Sequence, residues 1–216
     1  MMSSAEDPHA GQPVLHAGPA VEAARIVAIL LHGRGASAQD ILGLAWQFTV
    51  RDVAYVAPQA AESTWYPYSF LAPLQQNEPW LGSALHVVSN LAEDLGQRGV
   101  APDRIAVIGF SQGACLTLEF VARHARRYAA AIAFTGGLIG PPGTPRNYAG
   151  DLGGTPVFIG SSDVDSHVPL ERVQESTAVL RRMGADVDER IYPQMGHTIN
   201  ADELAAADAV LAHGRP

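Results

Sequence analysis

Short apolar runs of strand length alternate along this chain with longer stretches of helical period, and that alternation limits the fold more than any other feature. Arg25–Leu31 (RIVAILL), Asp52–Ala57, Arg104–Phe110, Ala129–Thr135, Thr155–Gly160 and Asp186–Tyr192 are each the length of a strand. Several are apolar throughout, which marks strands covered on both faces. Between them, Trp80–Arg98 places Leu81, Leu85, Val88, Leu91 and Leu95 at threes and fours, so it is expected to be a helix. Gln112–Arg127 and Pro169–Met183 are expected helices too, the last with Pro in its first turn. Ser37 with Asp40 forms a capping-box pair opening a helix to about Gln47, and Asn200 caps a helix to about His213. Val14–Ala17 is a candidate edge strand. The expected class is α/β: a doubly wound, mostly parallel sheet with helices on both faces.

The expected organisation is one domain over residues 14–216 behind a flexible tail at 1–13. The segments 136–154 and 58–79 are long, irregular connections, of a kind that is usually functional. The 14 basic residues are all Arg, so Schiff-base and Walker lysine chemistry are excluded. A net charge of −8 argues against nucleic-acid binding. One Cys, Cys115, excludes an internal disulfide, and at one turn past Ser111 it is read as a small core residue. The polar, acidic N-terminus does not resemble a secretory signal, and no apolar run is long enough to span a membrane. A cytoplasmic location and no stable membrane insertion are therefore expected.

Gly109-Phe110-Ser111-Gln112-Gly113 matches G-x-S-x-G where an apolar strand hands over to a helix. A sharp turn there presents a serine above the sheet edge, and the following N–H, on Gln112, faces a developing oxyanion. Ser111 is the candidate nucleophile. Of the later histidines, His124 lies inside the next helix, His213 lies past the last one, and His167 falls in the loop suited to the acid. His197, just after the last strand, is the candidate base. The residues alone leave Asp163 and Asp165 both open as the carboxylate that orients it. The loop Leu31-His32-Gly33-Arg34-Gly35 offers a second oxyanion donor, the Arg34 N–H, while the Arg34 side chain is read as a solvated charge, with an acidic or carbonyl group at the pocket mouth as the alternative partner. Trp65, Tyr66, Tyr68, Phe70 and Trp80 crowd one irregular segment. They either wall a pocket or pin a loop.

LHGRGAS at 31–37, APQA at 57–60 followed by Trp65, GFSQGA at 109–114, DSHVPL at 165–170 and Gly196-His197 together resemble the phospholipase/carboxylesterase family of α/β hydrolases. The resemblance covers nearly the whole chain from about residue 14. It implies the α/β-hydrolase fold without a cap domain, and it selects Asp165, the Asp of D-x-x-V-P, as the catalytic acid. Trp65 is the strongest pocket candidate by the family pattern, with Tyr66 beside it. The resemblance implies hydrolysis of short- to medium-chain carboxylic esters through a Ser-His-Asp triad and an acyl-enzyme, with no cofactor and frequent homodimers. The expected partner is a small-molecule ester. Thioesterase or lysophospholipase activity, or non-catalytic ligand capture on the same fold, are the alternatives. The chain reads Pro58-Gln59-Ala60-Ala61 where the family often has P-N-A-P. Its aromatic segment is more like a bacterial carboxylesterase branch than the eukaryotic thioesterases.

Overall fold

In a computed structural model of the chain, residues 7–213 are described. Seven strands form one sheet: β1 (Val14–Ala17), β2 (Ile26–Leu31), β3 (Val53–Pro58), β4 (Ile105–Phe110), β5 (Ala130–Phe134), β6 (Pro156–Ser162) and β7 (Asp186–Tyr192). Their order is β1-β3-β2-β4-β5-β6-β7. Only the β1–β3 pairing is antiparallel, so the sheet is mostly parallel.

The helices are α1 (Ala38–Leu42), α2 (Leu74–Asn77), α3 (Trp80–Gln97), α4 (Gln112–Arg123), α5 (Leu170–Arg182) and α6 (Ala201–His213). Strand alternation sends side chains into two cores. Val27, Ile29, Leu31 and Val107 pack on the layer holding α3, α4 and α5. Ile26, Ala28, Leu30, Ala106 and Ile108 pack on the other layer, with α1 and α6. Because both faces are covered, β2 is buried at every position, which is why it is uniformly apolar.

Local chemistry sets the helix ends. Ser37 and Asp40 complete the expected capping box at α1. At α6 the Asn200 side chain accepts from the Glu203 N–H and the Glu203 carboxylate accepts from the Asn200 N–H, both at 2.8 Å. α4 stops at Arg123, four residues short of the expected end. There the Tyr128 hydroxyl donates to the His124 carbonyl at 2.7 Å, satisfying a helix-end acceptor while the chain turns into β5.

The tail expected at 1–13 needs correction over the part that is described. His9 is buried, donates through Nε2 to the Trp65 carbonyl at 3.0 Å, and accepts at Nδ1 from the Ala61 N–H at 3.1 Å. A neutral imidazole with a donor on one side and an acceptor on the other ties residue 9 to the 61–65 loop, and burial holds its pKa below the ordinary value. Residues 1–6 lie outside the described residues. The 136–154 connection carries no cap domain. It is pinned by Glu119, buried in α4, whose carboxylate takes Arg123, the Ile139 N–H and the Tyr148 hydroxyl.

Among the described residues, no helix is long and apolar enough to cross a membrane.

Candidate active site

The site is assembled at the carboxyl ends of β2, β4, β6 and β7, where open α/β sheets bind ligands. Ser111 follows β4 and sits at φ 55° and ψ −116°, a strained conformation for a residue with a side chain. The two glycines of its motif make that turn possible. A Cβ on Gly109 would lie 2.2 Å from the Gly113 carbonyl oxygen, and one on Gly113 would lie 2.0 Å from the Leu31 carbonyl oxygen. Any side chain at either position would drive β4, α4 and the end of β2 apart.

His197, in the loop after β7, brings Nε2 to 2.8 Å from Ser111 Oγ, and its Nδ1 lies 2.7 Å from Asp165 Oδ2. Asp165, after β6, accepts at its other oxygen from the His167 N–H at 2.7 Å and the Val168 N–H at 2.9 Å. Burial of this carboxyl, whose side chain is 0% exposed, acts to raise its pKa. The His197 hydrogen bond and the two backbone N–H groups outweigh it, and the pKa is lowered. An ionised Asp165 must accept from Nδ1–H, which leaves the Nε2 lone pair for the Ser111 hydroxyl proton. Asp163, the other carboxylate left open by the residues alone, instead accepts from the Gln194 N–H at 2.8 Å and braces the His197 loop.

Gly33 lies against Ser111, with a hypothetical Cβ 3.5 Å from Ser111 Cβ, so the loop after β2 approaches the serine closely. Among the described residues, no acceptor takes the backbone N–H of Arg34 or of Gln112. The His32 imidazole behind this loop donates from Nδ1 to the Gly33 carbonyl at 2.8 Å and accepts from the Ala60 N–H at 3.1 Å. Burial holds it neutral by lowering its pKa. The LHGRG and APQA motifs are thereby one structural unit.

A cavity of about 400 Å³ opens above Ser111. Tyr66, Tyr68 and Phe70 line it, and Arg34, Cys115, His167 and Val168 are also in its walls. Trp65 is not among the lining residues. It is 0% exposed, its indole N–H donates to the His32 carbonyl at 2.9 Å, and its ring packs on His9 and His32. The expectation of a Trp65 pocket wall is therefore corrected: a buried indole needs an acceptor, and this one finds it behind the glycine loop. Tyr66 does line the cavity, though its ring is almost fully buried. Trp80 packs edge-on to His9, away from the lining.

Several contributions escaped the sequence reading. The His167 ring meets the His197 ring edge-on, with centroids 4.7 Å apart. The Gln112 side chain accepts from the Trp65 N–H at 2.9 Å and donates to the Tyr66 carbonyl at 2.8 Å. The Arg34 guanidinium stays exposed, as expected, yet donates to Thr64 and to the carbonyls of Pro67 and Tyr68. Arg34 and Gln112, the two expected oxyanion donors, thus hold the aromatic segment with their side chains. A polar residue in the loop after β2 and at the first position of α4 is the only signal.

A mostly parallel seven-stranded sheet, a strained serine turn after its central strand and no inserted cap define an α/β-hydrolase fold. The chain belongs to the phospholipase/carboxylesterase family, whose model matches residues 17–213. It is similar to a phospholipase/carboxylesterase from Dyadobacter fermentans, at 44% identity over 94% of this chain and 97% of that one, with a TM-score of 0.90. It shares its fold, at 17% identity and a TM-score of 0.75, with the Bacillus cereus carboxylesterase, covering 95% of each chain. It is 28% identical to acyl-protein thioesterase 1 of Gibberella zeae over 59% of this chain and 55% of that one. The chain spans about half the length of the curated relatives it matches.

Proposed function

We propose that the chain is a serine carboxylesterase acting on short- to medium-chain carboxylic esters. The observation that carries this reading is the continuous path Asp165–His197–Ser111, with hydrogen bonds of 2.7 and 2.8 Å, ending on a serine held in a strained turn. In the proposed reaction, Ser111 Oγ attacks the acyl carbon and passes its proton to His197 Nε2. The N–H groups of Arg34 and Gln112 take the oxyanion, and Asp165 stabilises the imidazolium. Collapse expels the alcohol with the proton from His197 and leaves an acyl-Ser111. Water then loses a proton to His197, attacks the acyl group, and releases the acid with Ser111 restored. A cavity of about 400 Å³ suits a short or medium acyl chain.

The thioester and lysophospholipid variants use the same residues and differ only in leaving group. Non-catalytic capture would have no use for a serine aligned with a base.

The test is turnover of p-nitrophenyl esters of graded acyl length by wild type and Ser111→Ala. The reading expects activity on short and medium chains that is lost in the variant. A folded wild type inert on every length, or turnover that survives Ser111→Ala, would reject it.

A further inference from the structure

Arg34 is the one arginine lining the cavity among the described residues, and its partners differ from those of many other arginines. Arg98, Arg123, Arg146, Arg172 and Arg190 each place a guanidinium nitrogen within 3.0 Å of a carboxylate. Arg34 Nη1 instead donates to Thr64 Oγ1 at 3.0 Å and the Pro67 carbonyl at 2.8 Å, and Nη2 donates to the Tyr68 carbonyl at 2.7 Å. All three acceptors are neutral. They orient the guanidinium without cancelling its charge, and the Tyr66 ring, 6.0 Å from the guanidinium carbon, adds an aromatic face.

A guanidinium carries five N–H donors, so these bonds leave others available. Among the described residues, no Asp or Glu lines the cavity. Asp165 reaches the site only beneath His197, with its side chain 0% exposed. The His167 imidazole is another nitrogen-bearing group in the same walls. A chain of net charge −8 therefore holds, at the exposed mouth of the cavity that contains Ser111, an oriented guanidinium that pairs with no carboxylate among the described residues. Fixing a planar fork in advance is how a protein builds a carboxylate site, because little side-chain entropy is then lost on binding.

We infer that Arg34 binds a carboxylate carried by the substrate, and that the site selects anionic esters over matched neutral ones. The inference rests on the esterase reading and adds the substrate class. Arg34 then has two roles: its backbone N–H faces the oxyanion, and its side chain determines specificity.

Two probe pairs test it. p-Nitrophenyl hydrogen adipate against p-nitrophenyl hexanoate places the carboxylate on the acyl side. 4-Carboxyphenyl acetate against phenyl acetate places it on the leaving group. The quantity read is the anionic-to-neutral ratio of kcat/KM, in wild type and Arg34→Gln. Loss of the loop contacts affects both members of a pair and divides out. The ratio for at least one pair is expected to fall about tenfold or more in Arg34→Gln, the scale of a charge-assisted hydrogen bond. Raising salt from about 50 mM to about 500 mM should lower the wild-type ratio for that pair and leave the variant's flat.

The salt series needs only wild type, so it decides the matter even if Arg34→Gln folds poorly. Ratios unmoved by salt and by the substitution in both pairs would overturn the inference while leaving the esterase reading standing. Failure of the neutral esters to show Ser111-dependent turnover would overturn both.

Discussion

Replacing Asp165 by Asn alters one hydrogen-bonding atom in a setting that dictates which way the amide must face. Asp165 Oδ1 accepts from two backbone N–H groups, of His167 and Val168, at 2.7 and 2.9 Å. In the variant the amide oxygen must keep both bonds, because the NH₂ group cannot accept them. The NH₂ is therefore turned toward His197 Nδ1, where the carboxylate oxygen now sits at 2.7 Å. An NH₂ donor there forces Nδ1 to be the acceptor and moves the ring proton to Nε2. Nε2–H then faces Ser111 and cannot take its proton. A wrong tautomer of this kind costs about 10³–10⁴ in kcat, or about 4–5.5 kcal/mol of barrier. Fold stability should change far less, since the two backbone bonds survive. Asp163→Asn is the matched control, because an amide oxygen can still accept from the Gln194 N–H. Steady-state kinetics on a short p-nitrophenyl ester, with thermal melts of all three proteins, make the comparison. Asp165→Asn retaining more than about a tenth of wild-type kcat, or Asp163→Asn losing more, would refute the tautomer argument.

Three further outcomes rest on the same structure. Gly113→Ala should lose at least about 3 kcal/mol in urea denaturation, because its Cβ would sit 2.0 Å from the Leu31 carbonyl oxygen; a loss under about 1 kcal/mol contradicts that packing. Glu203 is buried against Gly160, and desolvation raises its pKa to about 7. The unfolded carboxyl ionises first, so this group's stabilisation is full below its ordinary range near 4.5 and is lost as pH rises through about 7. The neutral His9 and His32 tilt stability the other way, being lost as pH falls below their ordinary range. The difference between wild type and Glu203→Gln isolates the carboxyl: the variant should gain on the order of 2 kcal/mol relative to wild type between pH 5 and 8, and equal slopes would count against it. Burial pushes the Cys115 thiol up to about 12, so iodoacetamide near pH 8 should leave the native protein unlabelled and label it in urea, as read by intact mass; equal rates in the two states would show an accessible thiolate.

The sheet was legible because both of its faces are covered, which forces runs such as Ile26–Leu31 to be apolar without interruption. Ser111 and His197 were legible because a strained turn and a loop after the last strand leave local marks, glycines at fixed offsets and chain order. The residues alone left Asp163 and Asp165 open, since which of two carboxylates two apart turns toward a histidine 32 residues on depends on the loop's path. The anchoring of His9 was hidden because one histidine in a polar segment has no periodicity, and its partners lie more than 50 residues away. Trp65 was misplaced for a related reason: composition shows that an aromatic is present but not which side of the loop it faces. For the Arg34 side chain the residues allow either a solvated charge or a carbonyl partner, and they cannot say which carbonyl, because any residue type supplies one. Glu119, in contrast, left a visible signal, a carboxylate within the apolar run ACLTLEFVA, where burial demands partners.

In the proposed reaction Ser111 is a nucleophile made reactive by His197 and Asp165. Labelling with an alkyl fluorophosphonate, followed by intact mass and peptide mapping, tests it most directly. One adduct per chain is expected, on Ser111, absent in Ser111→Ala and formed far more slowly in folded His197→Ala. No adduct on folded wild type, or an adduct elsewhere that persists in Ser111→Ala, would contradict it.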